Sequence, residues 1–257
     1  MEYRIQRMRA LFLLFALAFG SLAAAEDVRL TNGEWAPYLG ATLPHQGVAS
    51  RIVAEAFALE GVTVHWEFYP WARSLRLAEK GERHGTAIWL RNADRERDFY
   101  VSDPVIESGY VLFHRKDTAL DWHSVEDLRH HRLGATIGYD YGEAFQRAEQ
   151  DGRLRVQRLA AEEQGLRMLL AGRVDVFPMD KVVGIANLQG FSREERSRIT
   201  FHPQPLRSDT LHLLLSRSVP GNEQLMARFN QGLAQLRESG KIARYLLEAE
   251  QPLSALH

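Results

Sequence analysis

Ala93-Asp-Arg-Glu-Arg-Asp-Phe-Tyr-Val-Ser-Asp-Pro-Val-Ile-Glu-Ser-Gly-Tyr-Val-Leu-Phe113 is the stretch on which the reading of this chain turns. Arg95 and Arg97 alternate with Asp94, Glu96 and Asp98, and the run passes at once into Phe99-Tyr-Val101 and a Ser102-Asp-Pro104 corner. After Pro104 come Ile106 to Tyr110 with one Gly, and then the β-forming Tyr110-Val-Leu-Phe113. The pattern predicts a site-facing charged loop, a turn, and an extended crossover into a second structural unit. Two lobes around a cleft for a small molecule are the expectation.

Working back toward the N-terminus, Thr86 to Leu90 is a compact apolar strand that feeds this stretch. Val28 to Thr31 alternates as a short strand, and Asn32 to Tyr38 is a turn-rich loop holding Trp35. An aromatic just beyond a strand end either faces a ligand or closes the edge of the core, and the local sequence leaves both open. Gly47 precedes an amphipathic helix with apolar Val48, Ile52, Val53, Ala56 and Phe57, and Gly61 to Phe68 returns as a strand. Strand, helix, strand is the opening of a parallel sheet. Tyr69-Pro70-Trp71-Ala72-Arg73 starts the next helix, because proline suits a first helical turn. Trp71 and Arg73 lie about 200° apart around a helix and would share a cleft mouth only in that loose first turn. The alternative for Arg73 is a solvated face with Arg76, Glu79 and Lys80.

Working forward, Ser124 and Asp127 make a short capping pattern, and Arg132 to Ile137 is a strand. Gly138-Tyr139-Asp140-Tyr141-Gly142 then leads into a helix from Glu143 to Gln150. Strand, glycine loop and helix start together suit an anion, because free N–H groups and the helix dipole point at it. Val156 to Leu159 is a strand, Glu162 to Leu170 a helix, and Asp175 to Asp180 a buried strand with a carboxylate at its exit. Asp180 reads either as the N-cap of the helix Val182 to Leu188 or as a ligand contact. His202 to Ser208, with two prolines, is the second crossover. Leu211 to Ser216 is a strand, followed by a helix from Asn222 to Arg237 and a final one from Lys241 to Glu248.

The termini and composition narrow the setting. Arg4, Arg7 and Arg9 precede the apolar Ala10 to Phe19, and Ala23-Ala-Ala25 stands before Glu26-Asp27. This is the pattern of a secretory signal peptide cleaved after about Ala25, too short to span ~30 Å of hydrocarbon. Its removal takes away three Arg and one Glu and shifts the net charge from −1 to −3. A mildly acidic chain has no basic field for nucleic acid. With no Cys there are no disulfides and no lipid-modified Cys to tether the mature chain. Export without an anchor favours a periplasm and predicts no membrane insertion of the mature chain. No phosphate-cradling glycine motif, serine-nucleophile elbow or metal-binding histidine spacing occurs, so no cofactor, metal or catalytic residue is assigned.

The residues resemble the extracytoplasmic solute-binding proteins of family 3, the polar amino-acid type that serves ABC transporters. The resemblance rests on Trp35-Ala-Pro-Tyr38, Gly47, Arg95 seven residues before Ser102-Asp-Pro, and Ser124 to Leu128 with Arg132-Leu-Gly134 and Gly138. Leu170-Ala-Gly-Arg-Val-Asp175 with Asp180, and Leu236-Arg-Glu-Ser-Gly-Lys-Ile242, complete it. It covers Val28 to Leu247 and implies a type II clamshell, each lobe a mixed α/β sheet flanked by helices. Lobe 1 would hold residues 26–106 and 209–257 and lobe 2 residues 111–204, with hinge crossovers at 106–110 and 204–209. The resemblance implies that Arg95 clamps a ligand carboxylate and Asp180 takes an ammonium. It places Trp35 and Trp71 about the ligand side chain and Gly138 in a loop that adds donors. Where the family usually carries Ser or Thr, this chain has Trp89, Leu90 and Asn92 before Arg95, and Tyr139 after Gly138. Trp89, Arg73 and Tyr139 therefore join the candidate site, and a larger or aromatic anionic ligand becomes an option.

The implied function is a monomeric periplasmic receptor that captures an amino acid, or a related anionic or aromatic solute, for an inner-membrane ABC permease. Two alternatives stand beside it. One is a dehydratase-like enzyme using Glu34, Asp140 or Asp180 as its acid; the other is a sensory binder that reports to a membrane signalling protein.

Overall fold

The computed structural model describes residues 26–254, so the signal-peptide reading lies outside the described residues. Its strands are β1 (Glu26–Asn32), β2 (Val62–Phe68), β3 (Gly85–Leu90), β4 (Phe99–Arg115), β5 (Arg132–Thr136), β6 (Arg155–Leu159), β7 (Val176–Asp180), β8 (Ile199–Phe201) and β9 (Arg207–Ser216). They form one mixed sheet in the order β2-β1-β3-β9-β4-β7-β5-β6, with β8 on β4. β1 runs parallel to β2 and β3, and β5 runs parallel to β6 and β7. Between the two parallel sets lie β4 and β9, paired antiparallel from Phe99–Ser216 to Tyr110–Arg207. The result is the mixed α/β clamshell that the sequence predicts.

Helices cover the sheet as the apolar spacing requires. In α1 (Val48–Leu59) the buried Val48, Ile52, Val53, Ala56 and Phe57 form one stripe. It packs with α8 (Asn222–Glu238) over β1 and β9, around Phe57, Leu213, Phe229 and Leu233. The other parallel set buries both faces. Val111, Phe113, Phe177 and Met179 point into one core, whereas Leu112 and Val176 point into another with Leu133 and Phe145. That alternation is the two-residue repeat of a strand. The remaining helices are α2 (Trp71–Glu79), α3 (Ala93–Asp98), α4 (Glu143–Gln150), α5 (Glu162–Leu170), α6 (Lys181–Leu188), α7 (Arg193–Arg198) and α9 (Lys241–Ser254).

Two local expectations are corrected. The charged run before Phe99 is helix α3, not a loop: the side chain of Asn92 accepts the Arg95 N–H at 2.9 Å and caps it. The Ser102-Asp103-Pro104 corner is not a turn but lies within β4, where the register slips between Val101 and Pro104 and again before Ile106. Pro104 has no N–H to give the ladder, and slips of this kind are where a strand tolerates proline. The displaced groups find partners elsewhere: Asp103 N–H donates to Asn230 Oδ1 at 3.0 Å, and Leu213 N–H donates to Ser102 Oγ at 2.9 Å.

Arg132 and Asp175 tie β5 to the turn before β7. The guanidinium donates from Nε to Oδ2 at 3.0 Å and from Nη2 to Oδ1 at 2.6 Å, and the Arg132 N–H adds a bond of 2.8 Å. The Arg132 hydrogen bonds pull the Asp175 carboxyl down to about 2. Its folded pKa lies below the ordinary aspartate value, so its stabilisation is complete above pH ~4 and fades as pH falls toward 2. Asp175→Asn should lower the urea midpoint at pH 7 and converge on the wild type near pH 2. Equal midpoints at pH 7 would show that the pair adds nothing.

Candidate functional site

Parallel strands deliver their following loops to a single edge. β1, β2 and β3 end at Asn32, Phe68 and Leu90, and the segments after them carry Trp35, Trp71 and Arg95. β5, β6 and β7 end at Thr136, Leu159 and Asp180, and the segments after the first two carry Tyr139 and Glu162.

On the first wall, three side chains form a chain of contacts. The rings of Trp71 and Trp89 meet edge to face at 5.2 Å and 86°, and the Arg95 guanidinium lies 4.8 Å over the Trp89 ring. Trp71 lies against backbone at Gly33, where a Cβ would come within 2.3 Å of the indole. Trp89 is aimed by an irregularity in β3: Ile88 has φ +66° at a register shift between Ala87 and Trp89. A β-branched residue held there costs about 1–3 kcal/mol, and a bulge re-aims the side chain that follows it. Trp89 Nε1–H also donates to Thr86 Oγ1 at 2.9 Å.

Arg95 is half-buried, and its Nη1 donates to the Leu90 carbonyl. Among the described residues no carboxylate pairs with it. Burial pushes its pKa down, yet a guanidinium keeps its proton in proteins. This wall therefore holds a partly desolvated positive charge with no protein anion to meet it.

The second wall is acidic. Asp180 is 1 % exposed; its Oδ1 accepts the N–H groups of Val182 and Val183 at 3.0 Å each, and its Oδ2 accepts from the Ser108 hydroxyl at 2.8 Å. Burial raises its pKa against those bonds. Glu162 opens α5, with Oε1 buried and unpartnered. Burial first, and Asp180 second, push its carboxyl up to about 8. A helix N-terminus ordinarily favours the ionised form by about 0.3–1 kcal/mol, so burial outweighs the dipole here. Tyr110, Tyr139 and Tyr141 line the same region. Burial raises all three phenols, that of Tyr141 to about 12.

The seven candidates thus divide. Trp71 and Arg95 each contact Trp89, and Asp180 and Tyr139 share the acidic wall. Asp180 caps α6, as one of its two readings predicts. Trp35 is buried in the core beside Tyr38, at 4.9 Å between rings, with its indole N–H unpartnered among the described residues. Arg73 is exposed, turned away onto the Tyr69 ring at 4.5 Å. Glu162 was not singled out from the sequence. Its only signal there is an acidic pair in a helix's first turn, a place where carboxylates are normally solvated.

A cavity of about 270 Å³ opens beside Asp180, between Glu107 and Gly109 of β4, Lys181, and Leu246 of α9. A larger hollow of about 390 Å³, around Tyr100, Arg217 and Asn230, holds none of the seven. Arg217 is bound there to the Glu96 and Phe99 carbonyls, and Arg91 is paired with Glu96. Among the described residues no helix is long and apolar enough to cross a membrane.

The model for bacterial extracellular solute-binding proteins, family 3, matches residues 30–248. The chain belongs to that family. No curated protein matches it. Among solved structures, this family 3 chain is similar to an ancestral arginine-binding protein bound to arginine, at 17% identity and a TM-score of 0.69, covering 86% of this chain and 97% of that one. A histidine kinase sensor domain with similarity to periplasmic binding proteins gives 18% and 0.68, over 87% and 96%. The GluR0 ligand-binding core in complex with L-glutamate gives 13% and 0.70, over 90% and 100%. At these identities the likeness is one of fold.

Gly33→Ala should force Trp71 off its seat and break the edge-to-face pair. The expected readout is loss of the coupled-indole circular dichroism signal, with the fold still cooperative. An unaltered signal would show that the Trp71–Trp89 contact does not depend on a bare backbone at Gly33.

Proposed function

We propose that this protein is a periplasmic receptor that closes on a small amino-acid-like solute and hands it to an inner-membrane ABC permease. Lobe 1 comprises residues 26–106 and 209–257 and lobe 2 residues 111–204, with 106–110 and 204–209 as hinges. The observation that carries this reading is the half-buried, ion-unpaired guanidinium of Arg95 on Trp89. A desolvated cation is costly unless an anion meets it, and a planar guanidinium meets a carboxylate with two parallel bonds. The ammonium of the same solute would reach the buried acids of the facing lobe. Trp71 and Trp89 supply the apolar surface between the two charges. Closure follows from the extra contacts made when both lobes touch the ligand.

Binding is favoured over catalysis because the candidate acids are occupied. Asp180 holds α6 and Ser108, Asp140 is paired with Arg207 at 3.0 Å, and Glu34 accepts the Ala41 N–H at 3.2 Å. A sensory role is the second reading, favoured by the likeness to a kinase sensor domain over 96% of that chain.

A thermal-shift and calorimetric screen of the mature chain against amino acids tests the proposal. A true ligand at 100 times its Kd should add about 2.7 kcal/mol of stability. Arg95→Ala should weaken that ligand by about 30-fold or more, since leaving a charge unpaired costs about 2–5 kcal/mol, while melting stays cooperative. Unchanged affinity would move the anchor away from Arg95.

A further inference from the structure

The acidic wall carries one more carboxyl than a zwitterion can answer. A zwitterion on Arg95 and Asp180 balances both, which leaves Glu162 over. Neighbouring cations are engaged elsewhere. Arg158 lies 5.4 Å over the Tyr141 ring and donates to the Tyr139 carbonyl at 3.1 Å, but its charge is paired with Glu149; Arg207 is paired with Asp140 and Asp209, and Lys181 Nζ lies 5.4 Å over the Phe201 ring. Among the described residues no ion pair involves Glu162, and its Oε1 is buried without any partner.

The groups facing that carboxyl suit a cation. Tyr110 of β4, Tyr139 and Tyr141 of the loop before α4, and Asp180 of β7 all interact with it electrostatically. Tyr141 meets Tyr110 edge to face at 5.6 Å and lies tilted at 39° to Tyr139 at 6.3 Å. Aromatic faces beside a carboxylate are the surroundings in which an ammonium or guanidinium is held out of water. Strand topology puts them at the ligand edge: α5 follows the end of β6, beside the ends of β5 and β7.

We propose that Glu162, Asp180 and the three tyrosines form a cation seat, so that the solute selected carries a net positive charge: a carboxylate for Arg95 and two cationic groups for the acidic wall. This rests on the receptor reading above and sharpens its substrate class. A carboxyl raised to about 8 is mostly protonated in the free protein at pH 7. A bound cation favours its ionised form, so binding expels that proton, and affinity rises with pH up to about tenfold per unit below pH 8.

Calorimetry with L-arginine, L-lysine, L-citrulline, L-glutamine and L-glutamate decides it. The wild type, Glu162→Gln and Arg95→Ala are each measured at pH 7 in two buffers of different ionisation enthalpy. The expected result is binding of L-arginine or L-lysine with release of close to one proton. L-Citrulline, the neutral isostere of L-arginine, should bind at least tenfold more weakly. Glu162→Gln should abolish proton release and shrink the gap between L-arginine and L-citrulline to threefold or less, with an unimpaired melt. Preference for L-glutamine or L-glutamate, or an undiminished cation preference in Glu162→Gln, would overturn the cation seat and leave the receptor reading standing. Failure of all five to bind would overturn both.

Discussion

Parallel pairing is the constraint from which the site follows. In a parallel ladder every strand points its carboxyl end the same way, and helical crossovers return the chain to the opposite edge. β1, β2 and β3 obey this on one side of the β4–β9 ribbon, and β5, β6 and β7 obey it on the other. Residues as far apart in sequence as Trp71 and Arg95, or Tyr139 and Asp180, are therefore delivered to a common edge without any direct link between them. The helices serve the same end by sealing the faces, so that the chemistry is left at the rim.

Around that rim the structure tolerates arrangements that a stability-driven core would remove. A guanidinium sits on an indole and two interacting carboxyls lie in a tyrosine-lined region, neither Arg95 nor Glu162 ion-paired among the described residues. Ile88 holds a backbone angle that β-branched residues avoid. Each is unfavourable taken alone. In the proposed receptor, the opposite signs of the two charged groups would make them complementary to a charged solute, which is the usual way binding energy is stored in a preformed site.

Much of this was legible in the sequence, and the failures share a cause. Apolar spacing located α1 and α8 because their stripes are long enough to show a period. Strand exits at Asn32, Leu90 and Asp180 marked the edge. Helix α3 was missed because an alanine followed by five charged residues carries no period, although Asn92 three residues ahead of Arg95 was a cap signal. Ser102-Asp-Pro104 looked like a turn because the partner that lets it stay in a strand, Asn230, is 127 residues away. Glu162 gave nothing away for the same reason: its burial is made by Tyr110, Tyr139 and Asp180, none of which is its sequence neighbour. Local pattern reports an element; only the assembled chain reports what surrounds it.

The central position of β9 has a consequence for how the molecule is made. It is the last strand among the described residues, yet it lies between β3 and β4. Until β9 docks, β3 keeps a bare edge of unsatisfied amides and carbonyls, an invitation to pair with a stranger. The β5–β6–β7 unit depends only on β4, which is synthesised before it, and can finish earlier. The N-terminal sheet is therefore complete only once its C-terminal partner is in place. Such long-range closure is slow, and the interval before β9 arrives is when this protein most needs shelter from aggregation.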